Sequence, residues 1–259
     1  DRGRVYWRKV FQLPHFGRTA RGRPLVNIVR VQVEGERINR ILRVENFDDR
    51  YLLTATAKGL IKKTELKAYS RPKRGGIIAV GLEADDRMIG VGLARAGQTI
   101  ILGTRTGKSI RFDEGDVRAM GRSARGVRGI KIRKGDEVVD MVIVEEDDTL
   151  LTVCENGYGK RTKVTEFRVQ GRGGQGMIDI RTNERNGMVV NLLAVTDDDE
   201  VMMVTRKGQI VRTLAKGISV IGRATQGVRC IKLRAGDQLV ACAKVPQEED
   251  EPSEAAAKA

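Results

Sequence analysis

The sequence predicts an all-β, propeller-like fold of about five blade repeats of ~50 residues each, the first of them truncated. Glycine turns recur at spacings of 56, 48, 50 and 51 residues, at Gly3, Gly59, Gly107, Gly157 and Gly208. The segments RGVRGIKIRKGDEVV (125–139) and QGVRCIKLRAGDQLV (226–240) are copies of one unit. The 30 glycines and the 4% aromatic content suit many short strands joined by tight turns.

Each repeat consists of a strand, a polar turn, a second strand, a glycine turn and a third strand. The repeat that starts at Arg40 runs RILRV, ENFDDR, YLLTA, TAKG and LIKKT, and the others start at Val91, Asp140 and Asn191. A pair such as Asn156-Gly157 between β-rich segments predicts a hairpin, because the turn needs a positive φ.

A second glycine element follows each hairpin and has the pattern Gly/Ser-Arg-x-x-x-Gly. We call these segments the glycine–arginine loops: GRTARG (17–22), SRPKRG (70–75), GRSARG (121–126), GRGGQG (171–176) and GRATQG (222–227). Their recurrence predicts that they occupy equivalent places in the repeats.

Two matches to nucleotide-binding motifs fail on their context. QGRGGQG (170–176) fits G-x-G-x-x-G, but it is one of five equivalent loops, and MIDIRT after it predicts a strand instead of a helix. GTRTGKS (103–109) has three residues between its glycines where a Walker A loop needs four. We therefore predict that the chain holds neither NAD nor ATP.

The sequence predicts no catalytic or metal site. The acidic segment TDDDE (196–200) repeats turns found elsewhere in the chain, where aspartate favours the turn itself. The single histidine, His15, cannot build a relay, and Cys154, Cys230 and Cys242 lack metal-ligand spacing. We interpret the cysteines as buried thiols of a cytosolic protein.

Charge is concentrated in the body of the chain. The net charge is +14, and residues 247–259 contribute −4, which leaves +18 for residues 1–246. A basic body of this size indicates nucleic acid first and an anionic membrane surface second. No apolar segment is long enough to span a membrane and no signal peptide is visible, so we expect no membrane attachment. We predict one domain over 1–246 and a disordered acidic tail over 247–259.

Basic residues recur at two equivalent places in the repeats. Four positions after the turn glycine stand Lys63, Arg111, Arg161 and Arg212. In and beside the glycine–arginine loops stand Arg18, Arg21, Arg23, Arg71, Lys73, Arg74, Arg122, Arg125, Arg128, Arg172, Arg223 and Arg229. A charge repeated in a repeated fold predicts a surface stripe, and the planar guanidinium suits phosphate. The alternative is a solvated sheet face without a ligand.

Several motifs together resemble one known family. GRVYW, RTARGRP, SRPKRGGIIAV, GRSARGVRGIK, ENGYGKRT, QGRGGQG and IGRATQGVR resemble the C-terminal domain of DNA gyrase A, over roughly residues 1 to 245. The counterpart in topoisomerase IV is a weaker match, because its loops are usually more degenerate.

The resemblance implies a β-pinwheel, in which neighbouring blades exchange strands, and duplex DNA wrapped without sequence preference around a basic outer rim. It implies two partners, the breakage-reunion part of the same polypeptide and the ATPase gyrase B, in a cytoplasmic heterotetramer that supercoils DNA negatively. ATP and magnesium would act elsewhere in that assembly. The family's cleavage tyrosine lies in an Arg-Tyr-Thr context that Tyr6, Tyr51, Tyr69 and Tyr158 lack, so this chain is expected to be non-catalytic.

One departure from the family concerns its named box, Gln-Arg-Arg-Gly-Gly-Lys-Gly. The resemblance places Gln170, Arg172 and Gln175 in this box, but Gly171 and Gln175 stand where the family has cations. The chain also begins with DRGRVYW, within a hairpin and without an initial Met. We therefore expect that it is a piece of a longer protein whose fully basic box lies upstream.

Two other classes of function stay open on the sequence alone. One is a propeller that binds acidic protein partners through its basic residues. The other is a nucleotide-dependent enzyme, which would depend on the two imperfect glycine motifs.

Overall fold

In the computed structural model, the regular secondary structure of the described residues is almost entirely β-strand. The structure describes residues 1–15, 20–21, 23–29, 35–73 and 75–246, without the side chains of residues 25 and 26. The strands are β1 (Arg4–Val5), β2 (Tyr51–Thr56), β3 (Leu60–Glu65), β4 (Ile77–Ile78), β5 (Met88–Ala94), β6 (Thr99–Thr104), β7 (Lys108–Asp113), β8 (Val127–Arg128), β9 (Val138–Val144), β10 (Thr149–Cys154), β11 (Tyr158–Lys163), β12 (Met177–Ile178), β13 (Val189–Val195), β14 (Glu200–Thr205), β15 (Ile210–Leu214), β16 (Val228–Arg229) and β17 (Leu239–Lys244).

Within the described residues, helical structure is limited to single turns. The helix α1 (Leu25–Ile28) has four residues, and short 3₁₀ turns cover Val10–Gln12, Leu66–Tyr69, Glu114–Asp116, Val164–Glu166 and Ala215–Gly217. The predicted all-β fold is confirmed. The tail over 247–259 lies outside the described residues.

Each turn-glycine hairpin forms a small antiparallel sheet with the next long strand of the chain. The hairpins β2–β3, β6–β7, β10–β11 and β14–β15 are flanked by β5, β9, β13 and β17, respectively. The predicted order within a repeat is wrong in this respect: the strands expected to open the repeats at Val91, Asp140 and Asn191 lie in β5, β9 and β13, which pair with the hairpin before them. The predicted first strand RILRV, over 40–44, is not a strand in the structure.

The turn glycines have positive φ, for example +82° at Gly59 and +78° at Gly157. A Cβ at these two positions would lie 2.9 Å from the Ile130 carbonyl and 2.7 Å from the Ile231 carbonyl, respectively. Glycine is required there both for the turn and for close backbone packing.

Short strands are exchanged between repeats. After its glycine–arginine loop, the chain forms β8, which pairs with β3 of the preceding hairpin, and β16 pairs in the same way with β11. Near the start of the chain, β4 pairs with β1. Because each repeat completes the sheet of the one before it, the structure has the strand exchange expected of a β-pinwheel.

The described chain forms two compact units, each with its own apolar core. Unit 1 comprises 1–104, 109–143 and 169–176, and unit 2 comprises the rest. The core of unit 1 includes Leu53, Ile100 and Phe112, all fully buried. The core of unit 2 includes Leu151 and Met203, also fully buried.

The three cysteine thiols are free, and Cys154 and Cys242 are buried whereas Cys230 is half-buried. Desolvation raises the pKa of each thiol to about 12, so all three stay protonated near neutral pH. They are poor nucleophiles in this state.

Candidate nucleic-acid interface

The glycine–arginine loops at 121–126, 171–176 and 222–227 are tied to the sheet at both ends. Just before each of three loops, an isolated parallel bridge joins the chain to the preceding hairpin, through the pairs Lys63–Ala119, Arg111–Val169 and Arg161–Val220. At the end of the loops, a Cβ on Gly126 would lie 2.6 Å from the Ile61 carbonyl, and one on Gly227 would lie 2.7 Å from the Gly159 carbonyl. The closing glycine therefore lies directly against backbone. The middle of the loop is also held, because the carbonyls of Ala124, Gly174 and Thr225 accept backbone hydrogen bonds from neighbouring segments.

Most of the predicted DNA-binding residues lie at the surface. The exposed ones are Arg21, Arg23, Arg71, Lys73, Arg125, Arg128, Arg172, Gln175, Arg212 and Arg229, and the half-buried ones are Arg122, Gln170 and Arg223. Arg18 and Arg74 lie outside the described residues.

The arginine at the second position of the loop also fastens it to the sheet. Arg172 donates from Nε to the Asp116 carbonyl (2.9 Å) and from Nη1 to the Arg128 carbonyl (3.1 Å). Arg223 donates from Nη1 to the Ile178 carbonyl (3.0 Å). A guanidinium has five N–H donors, so these bonds orient it and leave further donors for an anion.

The sequence predicted a surface stripe of cations four positions after each turn glycine. This prediction is wrong for three of them: Lys63, Arg111 and Arg161 are 7%, 3% and 3% exposed, respectively. Lys63 Nζ lies 2.6 Å from a Glu114 carboxylate oxygen and 4.5 Å from the centre of the Tyr51 ring.

The two arginines are held by other groups. Arg111 Nε donates to the Thr99 hydroxyl (3.0 Å). Arg161 donates to the Ile218 carbonyl (2.9 Å) and to Asp197 (2.5 Å). These cations hold neighbouring elements together inside the fold.

The stripe fails because the second strand of these hairpins is buried on both faces. In β3, β7 and β11 the four central residues are all buried, so alternation along the strand does not turn every second side chain to water. At the edge of the last sheet, β15 alternates, and Arg212 is exposed there. Its guanidinium bonds to Glu200 on the paired strand.

Two buried lysines that hold the loops in place were not predicted from the sequence. Lys62 is 1% exposed, and its Nζ donates to the carbonyls of Ala79 (2.5 Å) and Arg122 (2.6 Å). Lys160 is fully buried and its Nζ contacts the Gly222 carbonyl at 3.4 Å. Each lysine thus reaches the start of the next repeat's loop. The available signal was their shared position three residues after the turn glycine.

The two lysines differ in their counter-charge. Lys160 Nζ lies 3.4 Å from an Asp179 carboxylate oxygen, and that carboxylate also accepts from the Thr152 hydroxyl at 2.7 Å. Burial lowers the pKa of Lys160 and raises the pKa of Asp179. Lys62 has Ala79 at the place of Asp179, and desolvation, followed by the nearby Arg122, lowers its pKa to about 8.

Metal-binding and membrane-spanning features are both missing from the described ranges. No group of three His, Cys, Asp or Glu side chains there is placed to hold a metal ion. No helix in the same ranges is long and apolar enough to cross a bilayer.

Comparison with protein families gives one match, which covers most of the chain. The family described as "DNA gyrase C-terminal domain, beta-propeller" matches residues 50–95, 98–145, 148–196 and 199–246. These four segments correspond to the four hairpin repeats of the structure.

Curated relatives match nearly the whole chain. DNA gyrase A of Salmonella typhimurium is 45% identical over 252 residues, which cover 97% of this chain and 29% of that protein. The Haloquadratum walsbyi gyrase A is 44% identical over 255 residues, 96% of this chain and 30% of that protein. The chain therefore spans less than a third of the length of these relatives.

Solved structures show the same fold. A DNA gyrase A C-terminal domain superposes with a TM-score of 0.82 at 27% identity, covering 94% of this chain and 79% of that one. The C-terminal domain of a DNA topoisomerase IV gives a TM-score of 0.85 at 25% identity, covering 94% and 76%, respectively.

Proposed function

The chain belongs to the DNA gyrase C-terminal domain family, and on that premise we propose that it binds and bends duplex DNA through its glycine–arginine loops. Binding would go to the phosphate backbone and be largely insensitive to sequence. In the whole protein this activity would support ATP-dependent negative supercoiling.

The observation that carries the proposal is the set of surface cations on anchored loops. Within the described part of the chain, Arg71, Lys73, Arg128 and Arg172 form no ion pair with a carboxylate, so their charge is available to an anion. Arg172 lies on a loop that is fixed by the bonds described above, which lowers the entropy cost of binding there. The net charge of +14 favours a polyanionic partner as well.

The proposed partners belong to the parts of the whole protein that this chain does not cover. It spans 29% of the Salmonella typhimurium relative, so we place the cleavage chemistry, with ATP and magnesium, outside this chain. We propose the breakage-reunion part of the same polypeptide and the ATPase gyrase B as its partners, in a cytoplasmic heterotetramer. Of these proposals, only the binding of duplex DNA can be tested with this chain alone.

Topoisomerase IV is the second candidate for the whole protein, because the superposition on its C-terminal domain has a TM-score of 0.85. The relatives in the sequence comparison favour gyrase, at 45% and 44% identity over nearly the whole chain. Both candidates would bind duplex DNA.

Duplex binding at a series of salt concentrations tests the proposal. If the loops neutralise roughly six to ten phosphates, log K against log salt falls with a slope of about −5 to −9. The measurement is fluorescence anisotropy with two labelled duplexes of equal length and unrelated sequence, which should give equal slopes. A flat salt response, or no binding at low salt, would contradict the proposal and favour a protein-binding propeller.

A further inference from the structure

One pair of surface arginines is organised around a tyrosine. Tyr158 opens β11, and Arg229 stands directly opposite it in β16. The guanidinium carbon of Arg229 lies 5.6 Å from the centre of the Tyr158 ring, and Arg229 Nη2 donates to the phenol oxygen at 3.1 Å. The guanidinium carbon of Arg185, from the connection between β12 and β13, lies 4.6 Å from the same ring centre.

The cluster brings two like charges together without a counter-ion. Neither Arg185 nor Arg229 forms an ion pair with a carboxylate anywhere in the ranges that the structure describes. The electron-rich face of the ring attracts both cations, and Arg185 also donates from Nη1 to the Gln226 side chain at 3.3 Å. Hydrogen bonds from Arg229 and then Arg185 lower the pKa of the Tyr158 phenol. The remaining repulsion between the guanidiniums would be relieved by an anion that both of them contact.

The repeats show that this cluster is specific to one place. The position of Tyr158 is occupied by Leu60, Lys108 and Gln209 in the other hairpins. In the equivalent strand pair, Leu60 stands opposite Arg128, so a strand arginine is present there without the ring. The connection that carries Arg185, RTNERNG (181–187), departs from the Arg-x-Gly-Asp pattern of RKGD (133–136) and RAGD (234–237). Two independent departures from the repeat therefore meet at one surface point.

We propose that Arg185 and Arg229 form a preorganised binding site for a phosphodiester of duplex DNA, with Tyr158 as the residue that positions both guanidiniums. The inference rests on the proposed function and adds to it a specific contact outside the glycine–arginine loops. The arginines bind the phosphate, and the ring reduces the side-chain entropy lost on binding.

The test is a mutant cycle in the 259-residue chain, with duplex binding measured against salt. Arg185→Ala and Arg229→Ala should each reduce the salt slope by about one unit, since each removes one phosphate contact. Tyr158→Leu introduces the residue found at position 60 and removes no charge. It should weaken binding roughly three- to tenfold at an unchanged slope, because the guanidiniums lose their order.

The coupling between the Tyr158 and Arg229 substitutions shows whether Tyr158 acts by positioning the arginine or whether the arginine charge acts alone. Tyr158→Leu should have little further effect once Arg229 is alanine, because contacting residues are not additive. The matched control is Arg128→Ala, which removes the equivalent strand arginine opposite Leu60, and in that background Tyr158→Leu should keep its full effect. Ultraviolet titration of the phenol reports the cluster without DNA, and Arg229→Ala should raise the pKa of Tyr158.

The outcomes distinguish the inference from the proposed function. A wild-type chain that binds duplex with the expected slope, and an Arg185→Ala/Arg229→Ala variant that does the same, would overturn the inference alone. Additive effects of Tyr158→Leu and Arg229→Ala would overturn the positioning role. No duplex binding by the wild-type chain overturns both proposals. If inorganic phosphate at matched ionic strength perturbs the phenol titration as strongly as duplex does, the site is for free anions and the assignment to DNA is wrong.

Discussion

At the scale of single residues, this fold uses buried cations as internal fasteners. Lys62 and Lys160 occupy equivalent positions and hold the loop of the following repeat, yet one has a carboxylate partner and the other has only carbonyls. Burying a charge without a counter-charge costs free energy, which appears as a lowered pKa. The same lysine-to-loop interaction thus occurs twice in the fold, once with the Asp179 carboxylate and once without a carboxylate.

The first prediction concerns the pH dependence that Lys62 gives to stability. The folded chain releases the Lys62 proton near pH 8, whereas the unfolded chain keeps it until about 10.5, so between these values the unfolded state binds more protons. Stability must therefore rise with pH in this window. Relative to Lys62→Met, the wild-type free energy of unfolding should increase from pH 7 to pH 10 by up to roughly 3 kcal/mol. Urea unfolding of both proteins measures this difference, and parallel pH profiles would contradict it.

The second prediction concerns the buried pair of Lys160 and Asp179. Asp179→Ala leaves a fully buried ammonium without its carboxylate and should cost about 3–5 kcal/mol of stability. Lys160→Met/Asp179→Ala removes both charges and should recover most of this loss. Denaturant unfolding compares the two variants. Equal stabilities of the single and double variants would show that the pair contributes shape and not charge.

From the sequence, the repeated cations could be identified, but which of them are exposed to solvent could not. Of the loop arginines that the structure describes, four are exposed as expected and two, Arg122 and Arg223, are half-buried. Three other predicted residues are buried: Lys63, Arg111 and Arg161. A basic residue in a strand usually indicates a solvated face, and this rule fails where a strand is covered on both sides. Tyr158 and Arg185 are separated by 27 positions, so only the folded chain brings them together.

At the scale of elements, the backbone of the glycine–arginine loop is constrained at its last glycine, whereas other positions of the loop can hold different side chains. At Gly126, Gly176 and Gly227 the last glycine cannot carry a Cβ, because that atom would meet the backbone of the preceding hairpin. Its first glycine is different, since a Cβ at Gly171 would have no atom within 4 Å and Gln175 is exposed. The loop over 171–176 can therefore accept larger side chains at both positions where the family has cations.

The third prediction uses this space to restore the family's basic box. Gly171→Arg/Gln175→Lys should make the salt slope more negative by about two units and increase bending of a short duplex. End-to-end energy transfer on a doubly labelled duplex measures the bend. Gly171→Gln, which adds a side chain without a charge, is the matched control. A restored box that folds but bends DNA no better than this control would show that the loop is structural.

The elements that the sequence predicted are those with a repeated signal. The hairpins with turn glycines at Gly59, Gly107, Gly157 and Gly208 were predicted, and the structure has them. Of the exchanged strands, β12 was located through the segment MIDIRT, whereas β4, β8 and β16 were not, because each has two residues and so shows no periodicity. Strand exchange came from the family resemblance and not from the residues of those strands.

At the scale of the whole molecule, each of the two compact units carries loop cations, with Arg125 exposed in unit 1 and Arg223 half-buried in unit 2. Unit 1 includes the loop at 121–126 and unit 2 the loop at 222–227. If both units bind one duplex, the loops contact it at several places along its length. The attraction at these contacts must offset the elastic cost of bending the DNA. That residues 1–246 act as one DNA-wrapping domain follows from this picture and stays a prediction.

The measurement that tests the account most directly compares DNA bending by two variants with equal charge loss. Arg122→Ala/Arg125→Ala removes two loop cations, and Lys163→Ala/Lys216→Ala removes two exposed cations outside the loops. Curving a 20–30 bp duplex costs on the order of 1–6 kcal/mol, so losing loop contacts should reduce bending more than affinity. By energy transfer on an end-labelled duplex, we expect the loop variant to bend DNA clearly less than wild type and the control variant to match wild type. Equal bending by the two variants, at saturating protein, would contradict the claim that the glycine–arginine loops curve the duplex.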